Sequence, residues 1–297
     1  MIFKTRFAPS PTGPLHLGHA YSAMLAHDLA EAEDGQFLLR IEDIDRSRSR
    51  AHWEDQIYDD LQWLGLRWPE PVLRQSDRLV AYDKALDELW TRGLLYPCTC
   101  NRKDIAAAAS APQEGVPLHG PDGIVYPGTC RAKWQPKLAD GPRPKDIPLR
   151  LDMAVAGKFL LNAAQADAVV GSFQEDGAGP NGETGAIAFT LDELTETIGD
   201  VVLSRRDMGT SYHLSVVLDD AAQGITHVIR GQDLFEATRI HVVLQVLLGL
   251  PTPRYLHHRL IRDDAGKRLA KRDDARAISK YRAEGATPVG IRALVGL

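Results

Sequence analysis

Two histidines three positions apart carry the clearest sign of chemistry in this sequence. His16 and His19 flank Gly18 at the end of the run Arg6-Phe-Ala-Pro-Ser-Pro-Thr-Gly-Pro-Leu-His-Leu-Gly-His19. A short apolar strand over 2–7 enters this turn, and apolar residues at helical spacing leave it. A helix N-terminus directs free N–H groups and its dipole at an anion, and imidazole N–H groups donate to phosphate oxygens. The run predicts a phosphate site, with Gly18 leaving room for a flat base. The alternative is a proline-rich turn with two surface histidines.

Three cysteines form the second candidate site. Cys98 and Cys100 make a Cys-x-Cys pair, and Cys130 follows after a stretch rich in Ala, Gly and Pro. Three cysteines cannot build a disulfide framework, and this spacing favours metal ligation. Three thiolates and a fourth ligand would form a tetrahedral zinc site that organises a small insert. On general grounds His119 is a candidate for the fourth ligand; the alternative to a metal site is three reduced cysteines in a loop.

The charge is unevenly distributed. The chain carries a net charge of −5 with a pI near 6.1, so bulk charge does not indicate a nucleic-acid partner. Residues 251–297, however, hold eleven Lys and Arg against five Asp and Glu. A basic end on an acidic protein suits a polyanion such as RNA, although a solvated helical face is the alternative.

Length and composition restrict the class of protein. The 297 residues are 44% hydrophobic, enough for the core of one or two domains. The longest apolar run, 242–250, is too short to span a bilayer, and the first residues lack a signal-peptide pattern. We therefore expect a cytoplasmic protein with no membrane partner. We expect neither a Gly-x-Gly-x-x-Gly motif after a strand nor a P-loop. This expectation disfavours a nicotinamide-dependent enzyme and a P-loop enzyme.

The elements that must position these residues alternate between strand and helix. A strand over 35–41 follows the first helix, and this βαβ unit predicts a parallel sheet with ligands at the carboxyl ends of its strands. Glu42 stands at such an end; alternatively, Glu42 to Asp45 form the cap and start of a helix from Arg46. Helices are predicted over 53–64, 75–92 and 238–248, strands over 148–152, 200–206 and 225–231, a strand or helix start over 211–218, and an exposed loop over 171–185.

The motifs together resemble the class I aminoacyl-tRNA synthetases, and the full run from Arg6 to His19 resembles the glutamyl and glutaminyl group. The resemblance extends from Arg6 to about Arg276. It implies an α/β fold with a Rossmann-like class I synthetase catalytic core, a small zinc-binding insert and a helical C-terminal subdomain. The implied divisions are 1–96 and 200–250 for the two halves of the catalytic domain, 97–135 for the zinc insert, 136–199 for a connective, acceptor-type insertion, and 251–297 for the C-terminal subdomain.

The resemblance also implies a glutamate pocket. The matching residues of this sequence are Arg6, Ala8, Ser10, Glu42, Tyr212 and Arg230. Glu42 would hold the ammonium group, and Arg6 with Arg230 would neutralise a carboxylate, for which the planar guanidinium is suited. From the residues alone, a strand-end salt bridge between Arg230 and Asp233 is an equal alternative.

ATP, with Mg²⁺, is the second implied substrate, and His16, Gly18 and His19 would bind it. Gly266-Lys-Arg-Leu-Ala-Lys271-Arg272 stands where the family has its mobile Lys-Met-Ser-Lys-Ser loop. Arg268 and Ala270 depart from that pattern, and Lys271 is the expected phosphate contact. An ionised carboxylate needs no general base to attack the α-phosphate. Catalysis would then consist of positioning and of charge stabilisation by His16, His19 and Lys271.

The insert sharpens the resemblance to one family. The pattern Cys-x-Cys…Tyr-x-x-x-Cys is similar to that of glutamyl-Q tRNA(Asp) synthetases, where a tyrosine oxygen is the fourth zinc ligand. It places one structural Zn²⁺ on Cys98, Cys100, Tyr126 and Cys130. The chain also ends shortly after Lys271, whereas full glutamyl-tRNA synthetases continue into an anticodon-binding region. The resemblance implies tRNA-independent, ATP-dependent activation of L-glutamate, followed by transfer to the queuosine base in the anticodon of tRNA(Asp).

Two other functions remain open from the sequence. One is a minimal glutamyl-tRNA synthetase core that charges tRNA(Glu). The other is a catalytically inactive synthetase paralogue that binds RNA or glutamate as a regulator, although the motif residues named above are intact. In each case we expect a monomer.

Overall fold

The computed structural model describes residues 2–109, 119–134, 141–163, 169–262 and 276–297. Lys271, Arg268 and Ala270, which the sequence places in the phosphate-binding loop, lie outside the described residues.

Strands and helices alternate along the described chain. The first part contains β1 (Lys4–Phe7), α1 (Leu17–Ala32), β2 (Gln36–Ile41), α2 (Ala51–Trp63), β3 (Leu73–Arg74), α3 (Leu79–Thr91), β4 (Leu95–Pro97), α4 (Arg102–Ala109), β5 (His119–Gly120) and β6 (Gly123–Ile124). The second part contains β7 (Leu149–Leu151), α5 (Met153–Ala163), β8 (Val169–Glu175), β9 (Gly185–Thr190), β10 (Val202–Ser204), α6 (Tyr212–Gln223), β11 (His227–Gly231), α7 (Ala237–Leu247), β12 (Arg254–His258), α8 (Ile278–Ala283) and α9 (Pro288–Val295).

Two sheets meet at the centre of the fold. Strands β1, β2 and β3 are parallel, which confirms the predicted βαβ unit. Strands β11, β12 and β8 are also parallel, and β9 closes that sheet in the antiparallel sense. Lys4 of β1 exchanges hydrogen bonds with Thr226, which precedes β11: Lys4 N donates to Thr226 Oγ1 over 2.8 Å, and Thr226 N donates to Lys4 O over 3.1 Å. The carboxyl ends of β1, β2 and β11 therefore come together, as a ligand site in a parallel sheet requires.

Two apolar cores hold these layers. Met24 and Ala20 of α1 pack with Leu39 and Ile41 of β2 in the first core, which also takes in Ile278 of α8. In the second core, α6 and α7 pack with α3, α5 and the strands between them. The alternative of a helix start over 211–218 is the correct one, because Ser211 caps α6 and accepts a hydrogen bond from the backbone N–H of Leu214.

The prediction of an exposed loop over 171–185 is wrong. Residues up to Glu175 belong to β8, which pairs with β9 and β12, and only the residues between β8 and β9 form a loop. The glycine content misled the prediction, because Gly171 serves tertiary packing. A Cβ atom at Gly171 would lie 2.5 Å from Cζ of Phe189 on the paired strand.

The expectation that no Gly-x-Gly-x-x-Gly run follows a strand is wrong. Gly177-Ala-Gly179-Pro-Asn-Gly182 follows β8 directly, so a Gly-x-Gly-x-x-Gly run does come after a strand. It leads into strand β9 and not into a helix, and so lacks the helix N-terminus that a dinucleotide phosphate needs.

The alternative in which Glu42 to Asp45 cap a helix from Arg46 is also wrong. Helix α2 begins only at Ala51. Asp45 instead accepts hydrogen bonds within a turn, from Ser47 Oγ over 2.6 Å and from the backbone N–H of Arg48 over 3.3 Å. This leaves Glu42 at the end of β2, facing the cavity described below.

The five-part division of the chain stays a prediction, and the central sheet crosses two of its boundaries. Strand β8, from the segment 136–199, pairs with β12, which falls in the segment 251–297. The described helices of that C-terminal segment, α8 and α9, begin at Ile278. A third sheet, β10-β7-β4, is antiparallel and supports the cysteine-bearing insert.

Within the described ranges, no helix is both long enough and apolar enough to cross a membrane.

Candidate active site and thiol cluster

The His16–His19 motif forms the first turn of α1. His16 is the N-cap, and its Nδ1 atom accepts a hydrogen bond from the backbone N–H of Gly18 over 3.1 Å. The Nδ1 atom of His19 accepts from the backbone N–H of His16 over the same distance. In a neutral ring with this arrangement the proton is on Nε2, which is the nitrogen that would donate to an anion.

Gly18 is needed for this geometry. A Cβ atom at that position would approach Cε1 of His16 to 3.0 Å, so a larger residue would displace the capping ring. The motif also contacts the C-terminal segment, because His16 forms a β-bridge with Ala277 and Ile278 N donates to Leu15 O over 2.9 Å.

A cavity of about 360 Å³ opens beside these histidines at the carboxyl ends of β1, β2 and β11. Its wall contains nearly all of the residues that the sequence assigned to glutamate and ATP: Arg6, Ala8, His16, Gly18, His19, Glu42, Tyr212 and Arg230. Ser10 lies in an adjoining cleft of about 880 Å³, which shares Ala8, His19, Glu42 and Tyr212 with the cavity and carries Arg48, Arg102 and Arg205.

A buried network of charges lies beneath the cavity. Asp220 accepts from Arg6 Nε over 3.0 Å and from Arg40 Nη1 over 2.7 Å. Arg40, which is fully buried, also donates to Glu42 over 3.2 Å and to Gln223 over 2.9 Å. Burial alone would raise the pKa of Asp220, but Arg6 and Arg40 lower it below its usual value. Arg6, predicted to bind the substrate carboxylate, is thus already paired with an acid.

Sequence reasoning missed Asp220 and its neighbour. Asp219 accepts from Gln75 Nε2 over 2.9 Å, from Arg78 Nε over 2.6 Å and from the hydroxyl of Tyr82 over 2.8 Å. These bonds anchor α6 to α3 and to the turn Gln75–Arg78 that precedes α3, so the adjacent Asp220 is fixed between its two arginines. The only sequence signal was an acidic pair at the end of an apolar helix.

Burial opposes the negative charge of Glu42. Burial raises the pKa of its carboxyl above the usual range, although Arg40 and Arg6 act in the opposite direction. Burial likewise raises the pKa of Tyr212, so its phenol stays protonated and can donate a hydrogen bond. The cavity therefore offers a carboxyl group and a hydroxyl close to its cations.

Arg230 differs from the other two arginines because its partners are neutral. Nε donates to His257 over 3.1 Å, Nη1 to His241 over 3.0 Å, and Nη2 to Thr238 Oγ1 over 2.7 Å and to Leu234 O over 3.2 Å. Within the described ranges no carboxylate pairs with this guanidinium, so the predicted alternative of a salt bridge to Asp233 is not found. Arg230 is only 5% exposed, and a buried cation without an acid favours an anionic ligand.

His257 is oriented from behind by an acid. Its Nδ1 atom lies 2.5 Å from Glu175 Oε2, and its backbone N–H donates to Glu175 Oε1 over 2.8 Å. Because Nδ1 donates to the carboxylate, the Nε2 lone pair is free to accept from Arg230. Burial and then Arg230 lower the pKa of His257, while Glu175 partly offsets them. Sequence reasoning did not identify His257, Glu175 or His241.

The three cysteines form a compact group away from the cavity. Their sulfur atoms all lie within 4.8 Å of one another, with 3.4 Å between Cys100 and Cys130. The Tyr126 hydroxyl lies 3.5 Å from Cys98 Sγ and 3.4 Å from Cys100 Sγ, and it accepts from the backbone N–H of Cys130 over 2.8 Å. His119 is in β5 and is not part of this group.

The donor set suits a tetrahedral zinc ion. Ligands at the Zn–S distance of about 2.3 Å stand about 3.8 Å apart in a tetrahedron, close to the spacing of this group. Burial would raise the pKa of Cys130, but hydrogen bonds from Tyr126 and from the Thr99 backbone lower it to about 6, which favours a thiolate. Arg150 donates to Cys98 over 3.2 Å and lies over the Tyr126 ring, so it can offset the negative charge of the thiolates.

The sequence matches a family profile and several known proteins. A sequence profile described as tRNA synthetases class I (E and Q), catalytic domain, matches residues 3–151 and 178–297. A protein named glutamyl-Q tRNA(Asp) synthetase from Rhodobacter capsulatus is 62% identical over 293 residues, which cover 99% of each chain. A protein of the same name from Albidiferax ferrireducens is 40% identical, over 92% of this chain and 85% of that one.

The fold has solved counterparts as well. The crystal structure of a glutamate tRNA ligase from Elizabethkingia meningosepticum, in complex with its amino acid, superposes with a TM-score of 0.74 at 24% identity. The match covers 99% of this chain and 60% of that one, so this chain spans less than two thirds of the length of the ligase. At that identity the likeness shows the fold alone.

Proposed function

The chain belongs to the family of class I tRNA synthetase catalytic domains for glutamate and glutamine, and we propose from this membership that it activates L-glutamate with ATP, independently of tRNA. We propose further that it transfers the glutamyl group to queuosine in the anticodon of tRNA(Asp). The full-length relative with 62% identity carries the name glutamyl-Q tRNA(Asp) synthetase, which supports this acceptor.

One observation carries the choice of amino acid. Arg230 is a buried cation held by neutral partners, and it lines the same cavity as the Glu42 carboxylate. An acidic α-amino acid presents a carboxylate to the first and an ammonium to the second. A neutral side chain would leave the Arg230 charge uncompensated in a buried site, which costs more than the lost contact itself.

Positioning is the main task of the remaining residues. The Nε2–H groups of His16 and His19 would donate to phosphate oxygens of ATP, whose magnesium ion would neutralise part of the phosphate charge. The glutamate α-carboxylate then displaces pyrophosphate at the α-phosphate, and no residue has to remove a proton in this step. Lys271 is proposed to stabilise the departing charge. A hydroxyl of the cyclopentene-diol of queuosine would then attack the carbonyl of the adenylate, and AMP would leave.

A structural zinc ion on Cys98, Cys100, Tyr126 and Cys130 is part of the proposal. The spacing of the three sulfurs and of the Tyr126 oxygen supports it. The zinc would hold the insert, since the described part of the insert has a core of few apolar residues. A cytoplasmic monomer and the five-part division of the chain are likewise proposals.

Glutamate-dependent exchange of labelled pyrophosphate into ATP, in the absence of tRNA, tests the first step. We expect exchange with glutamate at a rate well above that with glutamine or aspartate. Glutamine lacks the charge that Arg230 would pair, and aspartate is one methylene short. Equal exchange with glutamine would contradict the role of Arg230, and exchange that requires tRNA would contradict the tRNA-independent step.

A further inference from the structure

Arg230 is linked to the cysteine-bearing insert through two histidines. Its Nη1 donates to Nδ1 of His241 over 3.0 Å, and Nε2 of His241 lies 3.2 Å from Nδ1 of His213. On the other side of the ring, Nε2 of His213 is 3.5 Å from Oδ1 of Asp122. Asp122 is in the two-residue turn between β5 and β6, within the predicted insert.

Chemistry determines the direction of the two hydrogen bonds in this series, and the third contact, between His213 and Asp122, is a polar contact at 3.5 Å. Arginine only donates, so Nδ1 of His241 must accept, and a neutral His241 carries its proton on Nε2. Burial, followed by the Arg230 charge, lowers the pKa of His241 well below its usual value, which keeps the ring neutral. His213 must then accept on Nδ1 and carry its proton on Nε2, directed at Asp122.

The position of Asp122 is fixed by close packing of its hairpin. A Cβ atom at Gly120 would lie 2.4 Å from the carbonyl oxygen of Thr197, so the hairpin backbone rests directly on the π-helical turn Glu193–Ile198. The side chain of His213 is 8% exposed and that of Asp122 is 32% exposed. The series therefore starts at a partly solvated acid of the insert and ends at the buried guanidinium of the cavity.

We propose that Asp122, His213 and His241 form a positioning relay through which the docked insert orients Arg230 for the glutamate carboxylate. None of the three residues touches the reacting atoms. The inference rests on the proposed function, because glutamate is the ligand whose binding it concerns. It adds a role for the insert beyond its own folding: displacement of the hairpin would loosen Arg230 and weaken amino-acid binding.

The sign of the effect separates positioning from long-range electrostatics. Loss of a negative charge near the cavity would by itself strengthen the binding of an anionic substrate. A positioning role predicts the opposite. We expect Asp122→Asn to raise the KM for glutamate about threefold, the loss typical of one weakened hydrogen bond, with kcat and the KM for ATP unchanged.

A second variant removes the contact between His213 and Asp122 from the histidine side. In His213→Asn the amide oxygen can replace Nδ1 as the acceptor for His241, but the shorter side chain cannot reach Asp122. We expect the same rise in the KM for glutamate, and no further rise in the double variant, because both substitutions remove one interaction. The matched control is Asp104→Asn, which removes an exposed acid of α4 in the same insert. It should behave as wild type.

Nitrogen-15 NMR of histidine-labelled protein provides a readout that does not depend on activity. Wild type should show His213 and His241 as neutral rings protonated at Nε2, and Asp122→Asn should shift the resonances of both. An Nδ1-protonated form of either ring, an unchanged or lowered KM in Asp122→Asn, or an additive loss in the double variant would overturn the relay. Absence of glutamate-dependent exchange in wild type would instead overturn the proposed function, with the NMR result still deciding the relay.

Discussion

The Nε–H group of Arg230 donates to the Nε2 atom of His257 over 3.1 Å, and His257 faces Glu175 through its other nitrogen. The acid therefore orients the arginine through a neutral ring and does not cancel its charge directly. By contrast, Arg6 and Arg40 pair with Asp220 itself. Among the described residues that line the cavity, Arg230 is thus a cation without an acidic partner, and its neutral partners hold it in place before an incoming carboxylate arrives.

This arrangement makes a conservative change at Arg230 costly. In Arg230→Lys the ammonium cannot reach both His257 and His241 while also pairing with a ligand, since it lacks the planar fork. We expect the KM for glutamate to rise about 30-fold or more, in line with the loss of a charge-assisted hydrogen bond, and the KM for ATP to stay within about twofold. Pyrophosphate exchange at varied glutamate measures both values. An unchanged KM for glutamate would remove Arg230 from the pocket.

Asp60 of α2 predicts an unusual dependence of stability on pH. It is fully buried, and neither carboxylate oxygen has a hydrogen-bond partner among the residues that the structure describes. Burial, with a smaller contribution from Asp59, raises its pKa to about 7, against about 3.9 in an unfolded chain. Between those values the folded state binds the extra proton, so the free energy of unfolding should fall as pH rises from 4 through 7.

Replacing Asp60 by Asn should remove this penalty. At pH 8 we expect Asp60→Asn to have a higher thermal midpoint than wild type, and its free energy of unfolding to be greater by on the order of 1–3 kcal/mol. At pH 5 the two proteins should be closer in stability. Unfolding scans at the two pH values give the comparison. A variant that is destabilised equally at both would show that Asp60 is ionised and satisfied in the fold.

The thiol cluster predicts a metal content of one zinc ion per chain. Cys98→Ser should lower the bound zinc to well below one equivalent and make the insert more sensitive to proteolysis, because the described insert has few other apolar contacts. Atomic absorption on purified protein measures the zinc. His119→Gln is the control, and it should keep its zinc, since His119 stands outside the group of sulfurs. Full zinc content in Cys98→Ser would exclude the site.

Lys271 is assigned to the phosphates from sequence alone. Lys271→Ala should slow formation of the adenylate by about 100-fold, the usual loss on removing one group that stabilises charge in a transition state. The affinity for glutamate, measured by calorimetry, should stay within about twofold, because the residue would act only on the pyrophosphate. An unchanged rate of adenylate formation would exclude Lys271 from the phosphate site.

Local signals in the sequence predicted the parts of the site that depend on neighbouring residues. Apolar residues at helical spacing predicted a helix that begins at the His16–His19 motif, because that pattern involves only neighbouring residues. The strand before Glu42 predicted a residue at a sheet edge for the same reason. A helix N-terminus binds anions through its own backbone N–H groups, so this part of the site can be predicted without the rest of the chain. The hydrogen bonds by which the two rings cap the helix were not predicted.

The supporting network could not be predicted in this way. Arg6 and Asp220 are 214 positions apart, and Arg40 and Asp220 are 180 apart, so no local pattern connects them. Strand β8 was not predicted because Gly171 favoured a loop. Gly171 instead makes room for the ring of Phe189 on the paired strand. Glu175, which orients His257, lies at the end of that same strand, and missing the strand meant missing the residue.

Transfer of labelled glutamate to bulk tRNA, prepared with and without queuosine, tests the central claim most directly. The account predicts label that depends on queuosine, maps to tRNA(Asp), and does not form on tRNA whose queuosine cis-diol was oxidised by periodate before the transfer. Label on tRNA(Glu) that does not depend on queuosine would contradict it and identify a minimal glutamyl-tRNA synthetase. Absence of label on any tRNA, and of pyrophosphate exchange, would contradict it in favour of a non-catalytic paralogue.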